Sequence, residues 1–501
     1  MEGLTRPPIS EGVALGDSCP SELAQLLSRP HPRTLLARGP PGTGKSLLAI
    51  SLARHSGRPW VYLGWDHSSL GDPERERSPA GTSRALKVMS PSEFFRDFSE
   101  LRHLLATERE GEGLPVVVLD PWEGVLERRD PGDGPQDSAL QVRSFLEALQ
   151  SLSAHAVLVS SGAMEGPMEF LCDGLVTLHR GLLDSRVERW LELEKVRDVP
   201  ISHPEQPFTL DTGEPRFLRP LILSPSEVRP GVAPPPQFAR RGRVWVGSTD
   251  VETIFGPFPE KAVTVIEMES ETPYDLFRLI AGPAVLSVIA QGGRVGLISS
   301  PGVLPGDLWE AYRPFLTPGQ WVRQVRVLTV AIPRELPPEI APSFLGPRRN
   351  SSREMYTAGL SPEESEPVID NLQSDYEPRS LEFLDFLQER VSEETPNVLL
   401  AILAGIQAFG QAVGRRFTPE SLNAVVERYV REGALHAFLA YTQGDPLARA
   451  ITDMARNRLR FRSRAARYYV YGVRPWTPLY GIVRPPVSQG RGEPYRLVRM
   501  R

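Results

Sequence analysis

The stretch Thr34-Leu-Leu-Ala-Arg-Gly39-Pro-Pro-Gly-Thr-Gly-Lys45-Ser46-Leu-Leu-Ala-Ile-Ser-Leu-Ala53 decides how this chain is read. An apolar run, Thr34–Ala37, enters a glycine-rich turn, and the turn opens onto residues of helical composition. Strand, glycine turn and helix in that order make an anion socket. Gly39, Gly42 and Gly44 let the backbone curl so that its amides converge, with Pro40, Pro41 and Thr43 completing the turn. The new helix adds its partly positive N-terminus. Lys45 then faces the β- and γ-phosphates of a nucleotide, and the Ser46 hydroxyl faces Mg²⁺. Lysine is scarce here: Lys45, Lys87, Lys195 and Lys261 are all the chain has among 57 basic residues. A lysine at the motif's lysine position is therefore not a product of composition.

At 501 residues the chain exceeds one ordinary core and predicts two or three domains. A net charge of −5 argues against a surface basic all over, as a general nucleic-acid binder would show. Two cysteines, Cys19 and Cys172, cannot build a disulfide framework and lack metal-ligand spacing. With no signal-peptide pattern at the N-terminus, a cytoplasmic protein is expected. The uncharged run Thr395–Gly414 contains Asn397, Gln407, Gln411 and three glycines, so a strand over 398–403 running into a helix is expected rather than a membrane span.

After an irregular segment over 1–20, strand-like runs alternate with helical segments over 21–223. The runs are Thr34–Ala37, Trp60–Leu63, Pro115–Leu119, Ala156–Ser160 and Gly174–Leu178. This predicts an α/β domain with a mostly parallel central sheet. A linker over 224–241 carries five prolines. A second alternating region spans 242–487, with strands expected at Val263–Ile266, Arg294–Ile298, Val325–Ala331 and Val398–Leu403. Within it, 333–380 reads as a mobile insertion, and 488–501 as a tail.

Asp120 ends the β-branched run Pro115–Leu119, and a carboxylate at a strand tip beside the phosphate loop can hold the Mg²⁺ shell through water. A second carboxylate must orient a water towards the terminal phosphate. Asp66 is favoured, because it follows a strand expected to neighbour the phosphate-loop strand; Glu123 is the alternative.

Further along, Asp173-Gly-Leu-Val-Thr-Leu178 precedes Arg186-Val-Glu-Arg-Trp-Leu-Glu-Leu-Glu-Lys195-Val-Arg197 and Pro207-Phe-Thr-Leu-Asp-Thr-Gly213. This resembles the closing strands of the KaiC/RadA branch of the RecA ATPase superfamily, with Lys195 and Arg197 matching its Lys-x-Arg pair. The resemblance implies a RecA-like domain that binds ATP with Mg²⁺ and hydrolyses it at subunit interfaces of a homo-oligomer. Lys195 and Arg197 would reach a neighbour's site. Asp66-His67 stands where KaiC proteins carry paired glutamates, which implies slow hydrolysis.

The second region resembles a worn copy of a KaiC-type domain, opening with Gly247-Ser-Thr-Asp-Val251 and Lys261-Ala-Val-Thr-Val-Ile-Glu267. Met268-Glu-Ser-Glu-Thr-Pro-Tyr-Asp275 replaces its phosphate loop, without glycine or lysine and with three acids that repel a triphosphate.

Near the end, Arg456-Asn-Arg-Leu-Arg-Phe-Arg-Ser-Arg464 sets arginine at every second position, five on one strand face, with Leu459 and Phe461 on the other. A solvated edge strand, a nucleic acid or an acidic protein partner would each account for that face. A nucleotide-binding RecA-like domain with such a region also resembles the archaeal gas-vesicle regulators of the GvpD kind, which are ATP-binding repressors. The sequence therefore leaves three expectations: a KaiC-like ATPase driving a regulatory or assembly switch, a nucleotide-switched regulator that scarcely hydrolyses, and a RadA-related DNA-dependent ATPase.

Overall fold

The computed structural model describes residues 18–64, 85–89, 114–125, 143, 146–151, 153–160, 167–221, 243–244, 246–255, 258–259, 262–269, 272–298, 305–328, 336–345, 386, 399–404, 435–442, 452, 455–484 and 495–501. They fall into two compact units: residues up to Pro220 together with Val498–Arg501, and Leu221–Leu497.

The first unit runs α1 (Ser21–Leu27), β1 (Thr34–Arg38), α2 (Lys45–His55), β2 (Trp60–Gly64), β3 (Ala85–Met89), β4 (Val116–Asp120), β5 (His155–Val159), α3 (Pro167–Leu171), β6 (Gly174–Leu183), β7 (Arg186–Val196), β8 (Glu205–Thr209) and β9 (Arg216–Phe217). Its sheet has the order β3-β2-β4-β5-β1-β6-β7-β8-β9. Pairing is parallel from β3 through β6 and antiparallel from β6 to β9. The unbroken apolar runs follow from burial on both faces. Leu35, Ala37, Val116, Val118, Val157 and Val159 pack with α1 and α2 in one core. Their alternates Leu36, Val117, Leu119, Ala156 and Leu158 pack in another with Trp122, Leu146 and Leu149.

One expectation is corrected. β2 does not neighbour β1; it pairs with β3 and β4, and β5 stands between β4 and β1. Strand order in a parallel sheet is set by where each crossover lands, which local sequence pattern does not encode.

The second unit contains β10 (Arg243–Val244), α4 (Thr249–Phe255), β11 (Phe258–Pro259), β12 (Ala262–Met268), α5 (Tyr274–Ala290), β13 (Arg294–Ile298), α6 (Pro305–Tyr312), α7 (Pro318–Gln324), β14 (Val325–Leu328), β15 (Phe344–Leu345), β16 (Leu399–Ala404), β17 (Leu435–Thr442), β18 (Asn457–Arg464), β19 (Arg467–Arg474), β20 (Tyr480–Val483) and the start of β21 (Arg496–Arg499), whose last two residues are counted with the first unit. Its large sheet has the order β15-β14-β13-β16-β17-β12-β18-β19-β20-β21. Pairing is parallel from β15 through β18, then antiparallel to β20. Setting β12–β14 against β1–β3 and β16–β21 against β4–β9 reproduces the first sheet's order, with β15 added at the edge. The worn copy expected from sequence thus has the same topology as the first unit.

Residues 336–345, expected within a mobile insertion, are ordered: Ile340, Phe344 and Leu345 are buried, and β15 pairs with β14. Ile340 and Phe344 join the second unit's core, with Leu336 packed against it. Among the described residues no helix is long and apolar enough to cross a membrane. The strand expected in the Thr395–Gly414 run is β16.

Candidate functional site: a glycine loop between β1 and α2

The loop leaves the C-terminal end of β1 and enters α2 through Gly44, whose φ is 104°. No side chain caps that helix, so its first amides are left for another acceptor. Glycine is sterically required at both ends. A Cβ on Gly39 (φ +140°) would stand 2.2 Å from the Leu178 carbonyl oxygen of β6, and one on Gly44 would stand 2.9 Å from Leu210 Cδ1. The Thr43 hydroxyl donates to the Pro40 carbonyl at 2.9 Å, tightening the turn.

Lys45 is buried, and its Nζ donates to the carbonyls of Gly39 at 2.7 Å and Pro40 at 3.0 Å. Burial pushes its amine below the ordinary lysine value, while Asp120 and Glu123 pull it back up. Neutral carbonyls are weaker acceptors than phosphate oxygens, so this ammonium can exchange them for an anion. Ser46 follows in the first turn of α2 and is half-buried.

Asp120 closes β4, and its Oδ2 accepts from the Tyr62 hydroxyl at 2.9 Å. The Tyr62 ring lies along β2 past Gly64, where a Cβ would stand 2.3 Å from it. Glu123 sits three residues on, in the short 3₁₀ turn Trp122–Val125, and accepts from the Ser160 hydroxyl. Ser160 directly follows β5, and its amide donates to the Ala37 carbonyl of β1 at 2.8 Å. This contact brings Glu123 to the strand that leads into the glycine loop even though β4 does not touch β1. Asp66 lies outside the described residues.

Amides, an ammonium, a hydroxyl and two carboxylates around one glycine loop fit a magnesium-bound polyphosphate. Ser46 and Asp120 are the residues that would hold the metal, a Lewis acid that withdraws charge from the phosphates.

Lys195 and Arg197 lie elsewhere in the sheet. Lys195 pairs in register with Leu175, whereas the loop packs against Leu178. Its Nζ donates to the carbonyls of Cys172 at 2.6 Å, Phe170 at 3.2 Å and Glu169 at 3.4 Å, closing the end of α3. Arg197 pairs with Asp173 at 3.0 Å, which Arg33 also engages at 2.9 Å. Both cations therefore converge on residues 172–173, before β6 begins.

Two residues that carry no motif signal stand beside the loop instead. Arg180 and Arg189 face each other across the β6–β7 pair. The Arg189 Nη2 donates to the Gly42 carbonyl at 3.4 Å, and the Arg180 Nη1 lies 3.9 Å from where a Cβ on Gly42 would be.

In the corresponding place of the second unit, between β12 and α5, the sequence has neither glycine nor lysine. Glu269, just after β12, is engaged by Arg462 and by the Ser463 amide at 3.2 Å. The arginine-rich strand is β18, an interior strand between β12 and β19, not an edge. Leu459 and Phe461 are fully buried, as their alternation requires. Arg458 and Arg460 both grip the buried carboxylate of Glu267, Arg460 through Nε at 2.6 Å. The face for which a solvated edge, a nucleic acid or an acidic partner was expected thus finds countercharge for Arg458 and Arg460 on the adjacent strand and for Arg462 just beyond that strand's end. Parallel pairing of β12 with β18, in a register that sets Thr264 against Asn457, supplies acids that no local window contains.

No protein-family profile matches the chain. It is 30% identical over 332 residues to protein GvpD2 of Halobacterium salinarum, covering 61% of this chain and 66% of that protein. It is 26% identical over 329 residues to protein GvpD1 of the same organism, covering 61% of each. The chain thus spans somewhat under two thirds of the length of these curated relatives. GvpD1 and GvpD2 of Halobacterium are homologues of this chain.

Proposed function

We propose that this protein is a nucleotide-dependent regulator of the GvpD kind, whose first unit binds MgATP. The observation that carries the reading is the glycine loop. Positive-φ glycines lead into a helix without a side-chain cap, and the Lys45 ammonium rests on the loop's own carbonyls within range of Asp120 and Glu123. Gly42, Gly44 and the first amides of α2 would take the phosphates, Lys45 the β- and γ-phosphates, and Ser46 with Asp120 the metal. Glu123, held by Ser160, is the described carboxylate suited to orienting water. A slow ATPase is the corresponding activity. Its completion by a neighbour's Lys195 and Arg197 in a homo-oligomer rests on the KaiC/RadA resemblance. The homology to GvpD proteins favours a regulatory role over a DNA-dependent one. The internal pairing of Arg458, Arg460 and Arg462 removes the main support for a nucleic-acid surface.

Calorimetric titration of the full-length chain with MgATP tests the reading. Binding is expected, and Lys45→Ala should weaken it by about 100-fold or more. A wild-type chain that binds no nucleotide ends the proposal. Turnover measured against protein concentration, with and without DNA, separates the switch, the oligomeric ATPase and the DNA-dependent enzyme.

A further inference from the structure

We infer that Arg180 and Arg189 form a second, cationic wall of the nucleotide site, engaging the phosphate chain from the β6 side of the glycine loop. The inference rests on the nucleotide reading above and extends it to residues no motif marks. The last residue of β1, Arg38, pairs with Thr177 of β6, so Arg180 stands three residues further on, level with the loop. Arg189 is directly opposite it on β7. Two like charges facing each other across a ladder oppose folding unless something neutralises them.

Among the described residues no acid pairs with Arg189. Arg189 Nε and Nη1 are buried with no hydrogen-bond partner among the described residues, and its Nη2 has only the long 3.4 Å contact to Gly42. Burial, and then Arg180, lower the affinity of the Arg189 guanidinium for its proton. Buried donors without acceptors are costly, and a guanidinium's planar fork matches phosphate oxygens. The stacked His179–Trp190 pair, with ring centroids 4.9 Å apart, is the adjacent rung and holds the hairpin in register. Asp120 and Glu123 lie on the other side of β1, with the carboxylates and the metal-holding groups. The two arginines therefore meet the anion from the side of β1 away from Asp120 and Glu123, and their contribution does not depend on Mg²⁺.

The test uses the full-length chain and its Arg189→Met, Arg189→Lys and Arg180→Met variants, titrated with ATP, ADP, tripolyphosphate and adenosine, in Mg²⁺ and in EDTA. Arg189→Met should weaken ATP, ADP and tripolyphosphate about 10- to 100-fold in both media, leave adenosine unchanged, and match or exceed the wild-type melting temperature without ligand. Arg180→Met, at an exposed position, should weaken the same ligands severalfold, and Arg189→Lys should fall between. Affinities like wild type in every variant overturn the inference, as does a loss confined to adenosine. A lower ligand-free melting temperature with unchanged affinity also overturns it, since that marks a purely structural pair. If wild type binds and Lys45→Ala does not, while the arginine variants bind normally, this inference alone fails. If wild type binds nothing, the nucleotide reading fails with it.

Discussion

Replacing Glu267 by glutamine tests whether the arginine strand is an internal ion lattice. The Glu267 side chain is 1% exposed and is held by Arg458 and Arg460, themselves 31% and 17% exposed. Removing the carboxylate's charge leaves two guanidiniums two residues apart on one face of an interior strand, with Arg474 adding further like charge at Arg458. Breaking a buried pair costs about 3–5 kcal/mol. Partial exposure of both arginines places this one at the lower end, about 3 kcal/mol. Hydrogen exchange reads that locally: amide protection in β12 and β18 should fall about 100-fold, while β1 and β4 keep theirs. A triple replacement of Glu267, Arg458 and Arg460 by glutamine should recover much of the loss, because no uncompensated charge remains. A change in β18 protection below about 0.5 kcal/mol would refute the lattice, because surface substitutions away from such networks cost no more than that. It would return these arginines to an external partner.

His155 gives a pH-dependent expectation. Burial, and then Arg58, hold its imidazole down to about 4 from 6.5. The unfolded chain therefore takes up a proton below pH 6.5 that the folded unit refuses. Stability is complete above that pH and falls as pH drops towards 4, by about 2 kcal/mol between pH 7 and pH 5. Urea unfolding of wild type and His155→Gln at both pH values checks it, and a wild-type-to-variant difference independent of pH rejects it. Gly39→Ala should destabilise the first unit by roughly 3 kcal/mol or more and abolish nucleotide-induced protection of α2, since its Cβ meets the Leu178 carbonyl at a left-handed φ. An alanine variant that melts and binds like wild type would show that the loop is not held against β6.

The glycine loop between β1 and α2 is legible in the sequence because its signals are local. Glycines, lysine and serine act through backbone conformation and a helix start within eight residues, and flanking apolar runs announce their strands. The starts of β1, β2, β6 and β13 and the double burial of β4 follow from the same short-range pattern. The absence of glycine from Met268–Asp275, from the end of β12 into α5, is equally a matter of local sequence.

What sequence could not supply is anything requiring strands distant in the chain. The insertion of β5 between β1 and β4, the Ser160 contact that draws in Glu123, and the approach of Arg180 and Arg189 to Gly42 all depend on where crossovers land. The arginine strand shows the difference plainly: its alternation fixed which residues face the core. Only its pairing with β12 decided that the charged face meets Glu267 and Glu269. Local pattern determines which way a side chain points along its strand, because the backbone repeats every two residues. What that side chain meets is decided by the neighbouring strand, and that neighbour is chosen by tertiary packing.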